Sequence, residues 1–268
     1  MRKRILQGLS KEDYIHDDER SMRNDYLDRI LVGLDTINDL SVALMRKVTL
    51  GCYIEVTKKT APDLFNIISN VCDILCFHPI PKVYICHEPS QANMCAGTGE
   101  MVMILSDFIL EHFDTDMLYF TIGNTISMFK SGHVKIVTAY SILPETIVTA
   151  PIELLMKKYL RAADMTSDRG GLLACQNIAA ALKCILWEAG ISLNEIRFLD
   201  EDETISLAKA YLQGIAYFSM ESLSILATNL SEKSMDFKPH PYRITELLKW
   251  YESGYSEIIQ KKGVRIDE

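Results

Sequence analysis

Several things are scarce in this 268-residue chain, and each scarcity removes a class of protein. Basic charge is in deficit: 28 Lys and Arg stand against 36 Asp and Glu, a formal net charge of −8 with a pI near 5.3. The basic run Arg2-Lys3-Arg4 is too short to form an electrostatic footprint, so nucleic acid and anionic lipid are not expected partners. Long apolar runs are missing too. The longest, Ile136 to Met156, is interrupted by Pro144, Glu145, Pro151 and Glu153, which argues against a membrane span. No opening segment combines a charged start, an apolar block and a small-residue cleavage site, so export is not expected. The seven cysteines are odd in number and irregularly spaced, which suits a reducing cytoplasm better than a disulfide framework. Cys72 and Cys76 lie one helical turn apart, but with no second pair they read as buried thiols rather than zinc ligands. There is no internal repeat and no low-complexity segment.

What the chain has is helical periodicity around a short stretch of strands. The 48% apolar content can bury one large core. Residues 1–25 read as a polar N-terminal extension, in which Ser10 to Arg23 is a solvated lead-in; residues 26–262 form a single domain and 263–268 a tail. Apolar residues at helical spacing predict a helix over Tyr26 to Val48, and Pro62 near a first turn predicts another over Thr60 to Phe77. Cys52 to Val56 reads as a strand. Three more short apolar runs, 82–86, 91–97 and 101–106, predict a small antiparallel sheet. Helices are then expected over Asp116 to Lys130, Ile152 to Thr166, Gly170 to Ala189, Glu203 to Asn229 and Tyr242 to Lys261.

In the helix that includes "IGNTISMFKSGHV", Leu118, Ile122, Ile126 and Phe129 make an apolar stripe, while Asn124 and Met128 sit at i and i+4. Two histidines at that spacing, with a glutamate after the first, would form a zinc grip with its general base. Here those places hold Asn124, Thr125 and Met128. The surroundings nevertheless resemble the zinc metallopeptidase family of HtpX and the CAAX prenyl proteases (gluzincins), especially its small soluble members. Four blocks carry the resemblance in the family's order: "VYICHEPSQANMCAG", "IGNTISMFKSGHV", "AADMTSDRGGLLACQ" and "KPHPYRITELLKWYESG". They cover roughly Tyr53 to Lys261.

The resemblance implies an α+β, mainly helical, zincin-like fold with a small antiparallel sheet packed on the helix of the active-site type. It places the first metal histidine on Asn124, the general base on Thr125, the second histidine on Met128 and the third ligand on Asp164; the family's supporting aspartate falls on Asp168 and is kept. Sliding by one residue puts Gly123, Asn124 and Ser127 in those places and restores nothing. An amide, a thioether and a shortened carboxylate hold zinc poorly, and a threonine hydroxyl has no useful basicity near neutral pH. The chain is therefore expected to contain no zinc or other cofactor and to have no catalytic residues.

Met128 is expected to fill core space, Asn124 to hydrogen-bond Asp168, His133 to cap or pack at its helix end, and His240 to tie the last helix to the body. His87-Glu88 is no zinc motif. Cys95 lacks a signature that would make it a nucleophile with His87 or His133.

The resulting expectation is a pseudopeptidase that binds an extended peptide or partner protein along an edge strand formed by Gln91, Ala92, Asn93, Met94 and Cys95, in a cytoplasmic, soluble setting. The enzyme alternative is a hydrolase with a displaced metal built around Asp164, Asp168 and His133. A third possibility is a structural homo-oligomer.

Overall fold

The computed structural model describes residues 3–22, 53–87, 93–96, 100–134, 150–219 and 240–264. The helix expected over Tyr26 to Val48 lies outside these residues, as do Gln91 and Ala92. What is described is α+β and mainly helical with a small sheet.

In chain order the elements are β1 (Ile5–Leu6), α1 (Asp17–Met22), β2 (Ile54–Glu55), α2 (Pro62–Ile74), β3 (Lys82–Cys86), β4 (Asn93–Ala96), β5 (Val102–Ser106), α3 (Asp107–His112), α4 (Thr115–Lys130), α5 (Ala150–Cys175), α6 (Ile178–Glu188), α7 (Leu193–Ile196), α8 (Glu201–Ser219), α9 (His240–Trp250), α10 (Ser256–Lys262) and β6 (Gly263–Val264). Local chemistry sets several of the boundaries. Pro62 opens α2 where its missing N–H costs nothing. The Asp114 carboxylate accepts the Met117 N–H at 2.8 Å and starts α4; Asn177 does the same for Ala180 at 3.2 Å in α6. Asp200 and Glu203 exchange side-chain to backbone hydrogen bonds at 2.9 and 3.0 Å, a capping box that starts α8.

The main sheet has the order β2-β3-β5-β4, so β4 lies at one edge. The expected antiparallel pairing holds for β4 with β5 (Asn93 opposite Leu105, Ala96 opposite Val102) but not for β3 with β5, which run parallel with Lys82 opposite Val102. The physical reason is burial on both faces. All of β5 is buried, with Met103 and Leu105 facing the main core and Val102 and Ile104 joining Tyr84 and Cys86 in a second cluster. Such a continuous apolar run suits a central strand with a neighbour on each side.

Two expected boundaries are corrected. The break placed before Gly170 does not exist: α5 runs unbroken from Ala150 through Gly170 and Gly171 to Cys175, and turns only at Gln176, whose φ is 48°. The polar lead-in is solvated on one side only, with Glu12, Asp17, Asp18 and Arg20 exposed. Leu6, Leu9, Tyr14, Ile15, His16 and Glu19 are all buried, and β1 pairs with β6, so Gly263 and Val264 belong to a strand rather than a tail. Lys3 donates to Asp116 at 2.6 Å, Arg4 and Gln176 bond each other reciprocally, Arg169 donates to the Ile15 carbonyl, and Lys130 donates to the Leu9 carbonyl. The segment looked solvent-bound in sequence because the groups that hold it are far away in the chain.

α4 and α5 form the central helix pair, with α2, α6 and α9 packed around them. Their close approach explains the glycines. A Cβ on Gly171 would stand 2.9 Å from the Phe120 ring and carbonyl, and one on Gly170 would stand 1.9 Å from Ser127 Oγ. One on Gly123 would meet Ala174 Cβ at 2.3 Å. Glycine at the seam brings the two backbones together, and that places residues 124 and 168 side by side.

Candidate functional site

At this seam the Asn124 side chain donates from Nδ2 to Asp168 Oδ1 at 2.9 Å, the bond expected from sequence. Asp168 is 1% exposed and carries a second partner that the sequence reading did not include. Arg243, near the start of α9 and 3% exposed, donates from Nε to Oδ2 and from Nη2 to Oδ1, both at 2.7 Å. Its Nη1 reaches Glu188 Oε2 at 2.6 Å at the end of α6. The cluster thus ties α4, α5, α6 and α9 together through one guanidinium, in the bidentate geometry that suits arginine and not lysine.

Burial pushes the Asp168 carboxyl above its ordinary range, although Arg243 pulls it down. Burial likewise works against the Arg243 charge, but Asp168 and Glu188 outweigh it and hold the guanidinium firmly protonated. These two directions disagree about whether the pair is charged, and the hydrogen bonds decide. Three donors converge on the two Asp168 oxygens, two of them from one guanidinium in fork geometry, which favours the ionised pair.

The other predicted positions behave differently. Thr125 is 2% exposed and donates its hydroxyl proton to the Thr121 carbonyl at 2.8 Å, one helical turn back. Its hydroxyl is thus committed to the helix. Met128 and Asp164 are half-buried, so Met128, expected to fill core space, does so only in part. Of the two roles expected for His133, capping or packing, it takes the second. Gly132 takes the left-handed turn at φ 79°, and His133 lies fully buried with Nε2 2.9 Å from Glu19 Oε1 and its ring edge-on to Tyr159 at 5.8 Å. The imidazole does not aim an N–H squarely at the carboxylate, so the contact is a close approach and not a hydrogen bond. Glu19 also accepts from the Thr166 hydroxyl at 2.6 Å.

His240 opens α9 and His87 pairs with Asp107 at the surface. β4 packs against α4, which sets the Asn93 to Ala96 edge beside the helix that carries Asn124. Arg243, Glu188 and Glu19 are the residues missed from sequence. A usable signal was present for the first: "HPYR" lies in one of the resembling blocks, and an arginine in an apolar helix face calls for a buried carboxylate.

The donor set does not fit a zinc ion. The Asn124 amide is turned to donate to Asp168, both Asp168 oxygens are taken, and a guanidinium supplies the positive charge. Among the described residues no group of three His, Cys, Asp or Glu converges in a way that could hold a metal. Nor is any described helix long and apolar enough to cross a membrane. Comparison with family models, curated proteins and solved structures found no match to this chain.

Proposed function

We propose that this chain has a metallopeptidase-type scaffold without hydrolytic chemistry, which binds an extended peptide or a partner's extended segment along β4. The observation that carries this reading is the Asn124–Asp168–Arg243 arrangement. Where the resemblance calls for histidine, supporting aspartate and a metal dication, the chain has an amide, the same aspartate and an internal guanidinium. A fixed internal cation keeps the helices in register and generates no hydroxide. The edge beside α4 needs no metal to accept a strand, because the backbone donors and acceptors of an edge pair with any extended chain.

Proline substitution tests this. Successive residues of β4 point their N–H groups alternately at β5 and away from it. Of Met94→Pro and Cys95→Pro, one removes an internal ladder bond and the other removes a donor offered to the ligand. Binding of a fluorescent pool of 12-residue peptides, each with a central apolar residue, should fall only in the variant whose melting temperature is unchanged. Equal binding by wild type and both folded variants would refute edge binding.

A further inference from the structure

None of the residues that line a separate groove, between residues 189–200 and α8, belongs to the Asn124–Asp168–Arg243 cluster. The groove has a volume of about 960 Å³, a floor of Ile191, Leu199 and Leu207, and Glu195, Asp202 and Glu203 among its lining. At Ile191 it meets a second hollow of about 370 Å³ walled by Phe108, His112 and Trp187. There Phe108 stacks on His112 at 4.2 Å and lies nearly parallel to Trp187. On the same 189–200 segment, Phe198 is 81% exposed. The two hollows, joined at Ile191, form a concave and mostly apolar surface, the shape that binding sites take.

The charged residues that line the larger hollow have one sign. Three carboxylates line the larger hollow, and no lysine or arginine lines either one among the described residues. Of the nearby cations, Lys183 is turned inward to the carbonyls of Arg197 and Leu199, Arg197 lies over the Phe198 ring at 4.6 Å, and Lys209 is exposed on α8 outside the lining. The net charge of −8 adds attraction for a cation at longer range.

We propose that this groove docks an amphipathic α-helix of a partner protein, with apolar side chains on one face and lysine or arginine along its flanks. A helix is favoured over a strand because one wall is α8, whose backbone groups are already paired within the helix, so an extended segment finds no ladder to join. Asp202, Glu203, Ser206, Leu207 and Ala210 recur at helical spacing along that wall. They extend over roughly 12 Å, the rise of eight residues, which matches a ligand helix that anchors itself at i, i+4 and i+7. The site is independent of the β4 edge and stands whether or not that edge binds peptide.

The probe is a fluorescein-labelled 18-residue peptide with leucine at i, i+4 and i+7 and lysine on both flanks, followed by anisotropy with the full-length protein. Two companions control for charge and for helix: one with glutamate for each lysine, and one broken by two central prolines. The variants are Glu195→Lys with Asp202→Lys, and Ser206→Arg, all at exposed positions where a long side chain is tolerated; circular dichroism checks that each is folded. The lysine peptide should bind in the micromolar range. Charge reversal should weaken it by about tenfold or more, Ser206→Arg should do the same by obstruction, and both companion peptides should bind at least tenfold more weakly. Failure of the lysine peptide to bind, equal binding of either companion, or an unchanged Kd in the charge-reversed protein would overturn the proposal. So would a wild-type dimer that Ser206→Arg converts to monomer, because the occupant would then be a second copy of this chain.

Discussion

Replacing Arg243 by methionine tests the central cluster most directly. The side chain keeps its packing stem but loses the guanidinium, which leaves Asp168, 1% exposed, with only the Asn124 amide of its side-chain partners among the described residues and Glu188 without its 2.6 Å contact. Breaking a buried ion pair from one side costs about 3–5 kcal/mol, because the remaining charge is left desolvated and unpaired. For a chain of this size that corresponds to a fall in Tm of roughly 6–20 °C. Asp168 is already pushed up by burial, and without Arg243 it rises further. Its folded pKa then lies above the unfolded value, so the variant regains stability as pH falls into that window. The deficit against wild type should be largest near pH 7 and narrower at pH 5. The double variant Arg243→Met with Asp168→Asn should recover much of the loss, since no buried charge remains between them. Urea unfolding followed by tryptophan fluorescence and far-UV circular dichroism measures all three proteins. A loss below about 1 kcal/mol at pH 7, or a deficit that widens on acidification, would refute the reasoning.

The glycines make a prediction of opposite signs. Gly171→Ala should cost about 1–2 kcal/mol net, with overpacking against the fixed Phe120 carbonyl outweighing better helix propensity, whereas Gly214→Ala, with nothing within 4 Å, should gain up to about 1 kcal/mol in the same urea assay. The N-terminal segment predicts acid sensitivity. Burial raises the Asp116 carboxyl, but hydrogen bonds from Lys3 and Asn177 outweigh it and hold it below its ordinary 3.8; the stability it supplies is complete above that value and is lost as pH falls through the lower folded one. Stability measured from pH 5 to 2 should therefore fall less steeply in Lys3→Met than in wild type, and parallel curves would count against that tie. Metal analysis of purified protein should find well under one zinc per chain, with Tm unchanged by a chelator; a chelator-induced drop of several degrees would overturn that expectation. Finally, burial pushes the Cys72 and Cys175 thiols up to about 12, so native alkylation at pH 8 followed by peptide mass mapping should leave both unmodified.

Periodicity and short motifs carried much of this protein. The apolar stripe of Leu118, Ile122 and Ile126, the Pro62 helix start and the run from Val102 to Leu105 are local patterns, and each became the expected element. The Asn124 to Asp168 contact was also legible, because it lies within the resembling blocks. Other features depended on partners distant in the chain. Whether Gly170 and Gly171 end a helix or let another helix approach depends on Phe120 and Ser127 opposite them, and local propensity cannot show that. The parallel pairing of β3 with β5 depends on which faces of β5 are covered. Glu19 and His16 look like surface residues until α5, His133 and Glu246 surround them, because a charged side chain is stable inside only when its partner arrives with the fold. Arg243 is the clearest case. Its sequence neighbours fix the helix it sits on, but only the packing of α9 against α5 and α6 puts its charge on Asp168 and Glu188.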